Sequence, residues 1–282
     1  MPRNLRTSLA LAASAAIVLA LAACGRSAST NDNGDALTKD GKLIVAVDAT
    51  YPPNESVAAD GKTVEGMDID LVAEIAKRLN LELTWVKAPF DSIIPGIKAG
   101  KYTMGASSFT DNVEREKEVD FINYYSAGTS WVARAAAEVD PDNACGKTVA
   151  VQQGTIQVDD AQARSKACTD AGKPALNIKP FEAQTDATLA VTNSKADAFL
   201  ADSPVAGYAV KQSGGALALM GEVYGTAPYG FAVDKGHGAL AEAIQGALQN
   251  MIVDGTYTKI LTKWGGEAGA VTSAAINAAG QK

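Results

Sequence analysis

Apolar and polar residues alternate along most of the chain in two patterns, one typical of buried strands and one of amphipathic helices. Residues 43–47 form a continuous apolar run that ends at Asp48, which predicts a strand buried on both faces. Residues 67–79 carry apolar side chains three or four positions apart, which predicts a helix with one buried face. Further strands are predicted at 81–86, 102–106, 129–133, 148–151, 196–200 and 229–233, and further helices at 92–99, 155–168, 183–193, 203–212, 238–254 and 257–264. Such alternation predicts an α/β fold, and two successive series of these units predict two lobes.

The first residues of the chain follow a different pattern. Arg3 and Arg6 precede an apolar run at residues 9–23, which is too short for a membrane span and is typical of a secretory signal peptide. The run ends in Leu-Ala-Ala-Cys-Gly, which resembles the bacterial lipobox, so we expect residues 1–23 to be removed and Cys24 to become the acylated N-terminus. A multiply acylated Cys24, carrying fatty acids such as palmitate, would anchor the protein to the bacterial cell membrane. The alternative is a buried apolar helix with an incidental cysteine.

Segments of small and polar residues flank the predicted folded part. Residues 24–40 are rich in Ser, Asn, Asp and Gly, which predicts a flexible tether with a reach of roughly 22 Å. Residues 266–282 are rich in Ala and Gly, which predicts a weakly ordered C-terminal tail. A docked final helix is the alternative for this tail.

Composition narrows the range of functions. The chain has 282 residues, 47% of them hydrophobic, which is enough for a sizeable core. Acidic residues outnumber basic ones by 32 to 25, so we expect no nucleic-acid partner, because such binding needs a basic face. The only histidine, His237, lies in a predicted turn, and the three cysteines are far apart. The usual zinc and haem sites and catalysis by histidine are therefore not expected, and we predict no metal and no cofactor.

Several motifs, in collinear order over residues 40–265, resemble the polar amino acid binding proteins of ABC importers, which are bacterial extracellular solute-binding proteins of family 3. These motifs are Tyr51-Pro52-Pro53, Gly66-Met67-Asp68-Ile69-Asp70-Leu71, Phe90-Asp91-Ser92-Ile93-Ile94-Pro95, Glu114-Arg115 with Val119-Asp120-Phe121, Val149-Ala150-Val151-Gln152-Gln153-Gly154-Thr155, and Asp254-Gly255-Thr256-Tyr257. The chain departs from the family pattern at Asn54, Met67 and Ile156. The first and third of these departures are expected near the ligand.

The resemblance implies a two-lobed periplasmic-binding-protein fold of type II, with the ligand in the cleft between the lobes. Lobe 1 would be discontinuous, with residues 40–129 plus 226–265, and lobe 2 would comprise residues 130–225. The resemblance also implies a monomer that captures a polar amino acid outside the cytoplasmic membrane and delivers it to the permease of an ABC importer. The ATPase would be a separate subunit, because this chain has no phosphate-binding loop.

The resemblance further implies roles for individual side chains. Arg115 matches the residue whose planar guanidinium holds the ligand carboxylate, and Asp202 matches the residue that pairs with the ligand ammonium group. Asp48 matches a position at the distal end of the ligand side chain, where a carboxylate favours an amide or a cation, so glutamine or a basic amino acid is favoured. The other ligand-binding candidates are an aromatic pair, a hydroxyl-rich stretch and two residues of lobe 2: Tyr51, Phe90, Ser107, Ser108, Thr110, Gln152 and Thr155.

Taken on residue type alone, these side chains also have ordinary structural interpretations. Arg115 lies in a charged run and could be a surface residue. Asp202 could cap the predicted helix that follows it, and Asp48 could cap the next turn. Tyr51 and Phe90 could be core residues.

Two cysteines other than Cys24 lie within one predicted strand-helix unit. Cys145 precedes the strand, and Cys168 ends the helix that returns antiparallel to it, so the two ends should be close together. In an extracytoplasmic protein this arrangement predicts a disulfide bond. Two buried free thiols are the alternative.

Two other classes of function remain open at the level of sequence. One is an amino-acid sensor that works with a membrane receptor. The other is a dehydratase-type enzyme on the same fold, in which a carboxylic acid such as Glu55 would donate the proton. We expect a binding protein and not an enzyme.

Overall fold

The computed structural model describes residues 37–280, in which helices cover both faces of one large sheet. The strands are β1 (Lys42–Val47), β2 (Thr50–Tyr51), β3 (Glu55–Val57), β4 (Val64–Glu65), β5 (Glu82–Lys87), β6 (Met104–Thr110), β7 (Val119–Arg134), β8 (Thr148–Gln152), β9 (Asn177–Phe181), β10 (Ala198–Asp202), β11 (Leu217–Asp234) and β12 (Ala270–Ile276). The helices are α1 (Met67–Arg78), α2 (Phe90–Lys98), α3 (Val113–Glu116), α4 (Ile156–Asp170), α5 (Gln184–Thr192), α6 (Ser203–Gln212), α7 (Gly238–Asp254) and α8 (Thr256–Trp264). None of the helices within residues 37–280 is both long and apolar enough to cross a membrane.

The strand order of the large sheet is β5-β1-β6-β11-β7-β10-β8-β9, with β12 beside β7, while β2, β3 and β4 form a small separate sheet. At one end β1 pairs in parallel with β5 and β6, and at the other β8 pairs in parallel with β9 and β10. The long strands β7 and β11 pair antiparallel and run through both halves. The register of this pairing shifts near Tyr224, where β11 passes from one half of the sheet to the other. This topology confirms the two-lobed α/β fold with a discontinuous first lobe.

The core of each half explains why its central strands are apolar on both faces. In the first half, Leu43 and Val45 of β1 pack with α1 and α7, whereas Ala46 packs with α2 on the other face. In the second half, Val149 of β8 faces α4 and Ala150 faces α5 and α6. A strand with helices on both sides buries most of its side chains, and each fully buried Val or Leu contributes about 1.5–3 kcal/mol.

Two strands are much longer than predicted. β7 begins at Val119 and not at residue 129, and β11 begins at Leu217 and not at residue 229. The missed part of β11 is largely exposed, and its short apolar run at residues 217–220 is followed by a mostly polar stretch with two glycines, Gly221 and Gly225, which does not resemble a strand. β6 likewise continues through Ser107 and Ser108, which are polar yet buried because their hydrogen-bond partners are buried too.

The C-terminal tail was predicted to be weakly ordered, and that prediction is wrong, as is the alternative of a docked helix. A 3-10 turn at Glu267–Gly269 leads into β12, which pairs antiparallel with β7. Its residues are small, so they can lie flat on the sheet edge, and the free backbone groups of that edge supply their hydrogen bonds.

The N-terminal predictions lie mostly outside the described residues. The signal peptide at residues 1–23, the acylated Cys24 and most of the tether precede residue 37. The last residues of the predicted tether belong to the fold, because Thr38 is buried and Lys39–Gly41 forms a 3-10 turn.

A disulfide bond joins Cys145 and Cys168, with their Cα atoms 5.6 Å apart. Cys145 precedes β8 and Cys168 lies in the last turn of α4. The bond therefore joins the start of β8 to the end of α4, on the side of this unit opposite the loop that connects the two elements.

Candidate functional site

A narrow, nearly closed cavity lies between the two lobes, where β1, β6, β8 and β10 end. All the side chains that the sequence marked as ligand-binding candidates line it: Asp48, Tyr51, Phe90, Ser107, Ser108, Thr110, Arg115, Gln152, Thr155 and Asp202. The carboxyl ends of strands in an α/β sheet are the usual place for a ligand.

Arg115 extends from the short helix α3 into this cavity. Its Nη1 donates a hydrogen bond to the Thr110 carbonyl at 2.9 Å, and its Nη2 donates to the Gly154 carbonyl at 3.0 Å. The guanidinium carbon lies 5.4 Å from the centre of the Phe90 ring. Burial lowers the pKa of Arg115, although the charge of Asp202 acts in the opposite direction. The guanidinium forms no ion pair with any residue from 37 to 280, so this half-buried cation could still take an anionic partner.

Asp202 is the last residue of β10 and faces the cavity from lobe 2. Its Oδ2 accepts a hydrogen bond from the Tyr51 hydroxyl at 2.9 Å, and its Oδ1 accepts one from Gln157 Nε2 at 2.7 Å. Burial raises the pKa of Asp202, and the hydrogen bonds that it accepts partly offset this effect. The carboxylate makes no capping hydrogen bond to α6, so the helix-cap interpretation of this side chain is wrong.

Asp48 follows β1 and faces the cavity from lobe 1. Its Oδ2 accepts hydrogen bonds from the Phe90 backbone N–H at 3.1 Å and from Gln152 Nε2 at 2.7 Å. Burial raises the pKa of Asp48, and hydrogen bonds from Thr50, Phe90 and Gln152 lower it. The carboxylate thus contacts the first residue of α2. The donors from Thr50, Phe90 and Gln152 are all neutral, so they stabilise the negative charge of Asp48 by hydrogen bonds without neutralising it.

Aromatic rings and a helix terminus complete the walls of the cavity. Phe90 stacks on Phe109 with ring centres 4.5 Å apart, and Tyr51 is buried against the core of lobe 2. Thr155 precedes the first residue of α4, and its hydroxyl donates to the Gln152 carbonyl at 2.7 Å. Gly154 has a φ of +76°, and a Cβ there would lie 2.7 Å from Asp91, so only glycine fits this turn.

A pair of fully buried carboxyl groups, Glu55 and Asp68, lies behind the serines of the cavity. Glu55 accepts hydrogen bonds from the hydroxyls of Ser107 and Ser108, at 3.3 and 3.1 Å. Asp68 accepts from the Ser108 backbone N–H at 3.0 Å and from the Tyr124 hydroxyl at 2.6 Å. Burial, and then the charge of Asp68, raises the pKa of Glu55 well above its ordinary value, and burial raises the pKa of Asp68 to about 6. The pair supports the serines from behind and does not line the cavity.

One cavity residue was missed by the sequence analysis, and one expected neighbour of the ligand lies elsewhere. Gln157 lines the cavity from the first turn of α4, and its position shortly after Gly154-Thr155 was the available signal; Ile156, which was expected near the ligand, lines the cavity too. Asn54 was expected near the ligand, but its side chain lies behind the cavity and donates to Ser108 Oγ at 2.9 Å. Asn54 ends the turn between β2 and β3, so it faces Ser108 from the same side as the adjacent Glu55.

Direct hydrogen bonds cross the cleft between the two lobes. Tyr51 contacts Asp202, Asp48 contacts Gln152, and Arg115 contacts the Gly154 carbonyl. The structure is therefore in a closed arrangement, with the cavity walls of both lobes in contact. Among residues 37–280 no group of three His, Cys, Asp or Glu side chains could hold a metal ion.

A charged cavity between two α/β lobes, joined by two long strands, is the architecture of a binding protein for small polar solutes. The sequence profile of the bacterial extracellular solute-binding proteins, family 3, matches residues 43–267. The chain therefore belongs to this family.

Named relatives and solved structures agree with this membership. The arginine-binding protein ArgT of Corynebacterium glutamicum is 38% identical over 246 residues, which cover 86% of this chain and 80% of that protein. The glutamine-binding protein GlnH of Bacillus subtilis is 30% identical over 277 residues, which cover 91% and 96%. An ancestral arginine-binding protein bound to arginine superposes with a TM-score of 0.73 at 35% identity, over 79% of this chain and 98% of that chain. The arginine-, lysine-, histidine-binding protein ArtJ of Geobacillus stearothermophilus superposes with a TM-score of 0.71 at 26% identity, over 80% and 96%.

Proposed function

We propose that this protein captures a basic amino acid, arginine first among them, and delivers it to the permease of an ABC importer. The observation that carries the proposal is the set of three charged groups around one closed cavity. Arg115 supplies a cation without an ion-pair partner among residues 37–280, and Asp202 and Asp48 supply two carboxylates.

Two of these groups fit the part that all free amino acids share. An amino acid buried in a cavity exposes a carboxylate and an ammonium group, and burying either without a partner costs several kcal/mol. The planar guanidinium of Arg115 suits the carboxylate, and Asp202 suits the ammonium group. The two residues come from opposite lobes, so the ligand would join the lobes when both contacts form.

Asp48 distinguishes among amino acids. Its carboxylate is 5% exposed and has only neutral hydrogen-bond donors, so it would repel glutamate or aspartate. A cationic side chain would neutralise it, whereas an amide would only donate a hydrogen bond. The relatives named for arginine binding support the same choice. Glutamine is the second candidate, because a related ancestral arginine-binding protein has also been solved with glutamine bound.

Calorimetry with a panel of amino acids tests this proposal. We expect arginine, lysine and ornithine to bind, glutamine to bind more weakly, and glutamate and aspartate not to bind. Arg115→Ala should weaken arginine binding by about 30-fold to several thousand-fold, because a buried carboxylate would lose its partner. Arg78→Ala is the matched control, since Arg78 pairs with Glu74 and Asp254 outside the cavity. Near-native affinity in Arg115→Ala, or tightest binding of glutamate, would contradict the proposal.

The proposal includes closure of two lobes around the ligand. We assign lobe 1 to residues 40–129 plus 226–265 and lobe 2 to residues 130–225, with the hinge where β7 and β11 pass between them. Ligand contacts from both lobes favour the closed form, which the permease would recognise. We propose that the protein acts as a monomer.

We further propose that the protein is a lipoprotein of the bacterial cell membrane, with residues 1–23 as its signal peptide. The support for this is the lipobox-like sequence that ends at Cys24. Cys24→Ala should abolish incorporation of radiolabelled palmitate and leave an uncleaved precursor or a secreted soluble form. A Cys24→Ala variant that still incorporates the label would contradict the anchor.

We propose binding without catalysis. One structural neighbour is an ancestral amino acid-binding protein described as a precursor of cyclohexadienyl dehydratase, so the fold by itself is compatible with both roles. In this chain Glu55 lies behind Ser107 and Ser108, outside the cavity, and His237 is exposed at the start of α7. Neither group lines the cavity. A sensor that contacts a membrane receptor would use the same cavity.

A further inference from the structure

The segment that we call the C-terminal strap, residues 270–279, lies beyond the part of the chain that matches the family profile. It is nevertheless bound tightly to lobe 1. β12 pairs with the first half of β7, and β10 pairs with the second half of β7 along the same edge. Three further hydrogen bonds hold it: Val271 N–H donates to Tyr257 Oη at 2.9 Å, Ala274 N–H to Gln249 Oε1 at 3.0 Å, and Gln245 Nε2 to the Ala274 carbonyl at 3.1 Å.

At Asn277 the strap turns toward the cavity-forming segment of lobe 1. Asn277 has a φ of +55°, and its backbone N–H donates to the Phe121 carbonyl at 3.0 Å. Its side chain accepts from the Phe121 N–H at 2.8 Å and donates to Asp120 Oδ1 at 2.8 Å. These bonds fix the direction in which the last residues of the strap leave β12.

The next two residues of the strap hold both ends of the segment that carries Arg115. The Ala278 N–H donates to Asp111 Oδ2 at 2.8 Å, and the Ala279 N–H donates to Glu116 Oε1 at 3.0 Å. Asp111 precedes α3, and Glu116 is its last residue. The strap therefore bridges the two ends of the short helix on which Arg115 lies.

The four-residue helix α3 has little structure of its own to fix that position. Asn112 caps it by accepting from the Arg115 N–H at 2.8 Å, and no residue of α3 is buried. Asp111 itself is 1% exposed, and besides Ala278 it accepts a hydrogen bond from Asn123 at 2.9 Å. Burial, with the neighbouring Glu116, raises the pKa of Asp111 to about 6, so the N–H groups of the strap stabilise charges that would otherwise repel each other.

We propose that the C-terminal strap positions Arg115 for the carboxylate of the ligand, and that it thereby contributes to affinity without touching the cavity. The proposal rests on the proposed function, because it takes Arg115 as the carboxylate partner. It assigns a role to a segment outside the family match.

The test removes the end of the strap and compares two forms of residue 115. Truncation of the full chain after Ile276 deletes the donors to Asp111 and Glu116 but keeps β12. We expect it to weaken binding of L-arginine by roughly 5- to 30-fold, in the range of coupling between neighbouring groups. In an Arg115→Lys background the same truncation should cost less than about twofold, because a flexible ammonium depends less on the position of its backbone than a planar fork does.

Two controls separate positioning from a general effect on folding. Truncation after Ala279 keeps both donors and should bind L-arginine as the full chain does. If the truncated chain folds poorly, Asn277→Gly replaces it: glycine tolerates the positive φ but lacks the side-chain bonds to Phe121 and Asp120, so this variant should weaken binding in the same direction. Amide hydrogen exchange of the ligand-free protein should accelerate at residues 112–118 after truncation at Ile276 and remain unchanged in lobe 2.

The outcomes are distinguishable. Equal losses of affinity in the Arg115 and Arg115→Lys backgrounds, or unchanged affinity and exchange after truncation, would overturn the role of the strap and leave the proposed function intact. Failure of the full chain to bind L-arginine would overturn both.

Discussion

At the residue scale, the proposed function makes Asp48 the group on which we expect ligand choice to depend. Asp48→Asn keeps a side-chain carbonyl that can accept from the Phe90 N–H but removes the charge. We expect this substitution to weaken arginine binding by about tenfold or more and glutamine binding by clearly less, because only the cation loses an ionic partner. Calorimetry with both ligands measures the two changes. If the affinities for arginine and glutamine fall equally, Asp48 does not discriminate between a charged and a neutral ligand side chain.

The buried pair of Glu55 and Asp68 leads to a prediction about pH. Both pKa values are raised in the folded protein, so the fold retains protons that the unfolded chain would release. The contribution of this pair to stability is thus complete below about pH 4 and declines as the pH rises through the folded pKa values, about 6 for Asp68. Glu55→Gln should flatten this decline, since an uncharged amide no longer repels Asp68.

Urea unfolding midpoints between pH 5 and 8 measure that flattening. Glu65→Gln removes an exposed carboxylate from β4 and provides the control, which should retain the wild-type slope. If the stability of Glu55→Gln falls with pH as steeply as that of the wild type, Glu55 does not retain its proton in the folded state.

How far the site could be predicted differs from residue to residue. The positions of Arg115 and Asp202 came from the resemblance to a family, because by residue type alone a surface charge and a helix cap were at least as plausible. No local pattern could reveal that Tyr51 contacts Asp202, since 151 positions separate them. Gln157 was missed because a glutamine in the first turn of a helix is usually exposed, and only the fold brings it to Asp202.

At the scale of elements, the disulfide is expected to stabilise one strand-helix unit without affecting the site. It joins the start of β8 to the last turn of α4, whereas the cavity residues Gln152 and Thr155 lie at the other ends of these elements. A double Cys145→Ser, Cys168→Ser variant should lose about 3 kcal/mol of unfolding free energy, as expected for a loop of this length. Its affinity for arginine should remain within about twofold of the wild type, because the site lies at the opposite ends of the unit.

Chemical denaturation and calorimetry of the same preparation check both parts of this expectation. Thiol titration of the denatured, unreduced protein should detect neither Cys145 nor Cys168. Two reactive thiols in a variant that lacks Cys24 would contradict the bond.

The elements that sequence patterns predicted well are those whose burial repeats regularly. β1 and α7 lie within a residue of the predicted ranges because β1 is apolar on two buried faces and α7 has one regularly spaced buried face. The exposed half of β11 and the small-residue strand β12 carry no such repeat, and each is a strand only because β7 lies beside it. Pairing with a distant partner, and not local propensity, decides the conformation of such segments.

At the scale of the whole molecule, hydrogen bonds that cross the cleft should favour the closed form in addition to the ligand of the proposed function. Tyr51 belongs to β2 in lobe 1, and its hydroxyl both donates to Asp202 Oδ2 at 2.9 Å and accepts from the Asp202 N–H at 3.1 Å. Apparent affinity falls with the fraction of molecules in the binding-competent form. A bond between the lobes therefore affects binding through the open-closed equilibrium.

Tyr51→Phe tests this dependence, because it keeps the aromatic wall and removes both bonds. The buried Asp202 would lose one donor, at a cost of about 1–2 kcal/mol, so we expect arginine to bind roughly 5- to 30-fold more weakly. Small-angle X-ray scattering should give the ligand-free variant a larger radius of gyration than the ligand-free wild type, and saturating arginine should remove the difference. Tyr102→Phe makes the same substitution at a buried tyrosine on lobe 1 away from the cleft, and should change neither quantity. If Tyr51→Phe binds arginine as the wild type does and scatters identically without it, closure does not depend on this contact.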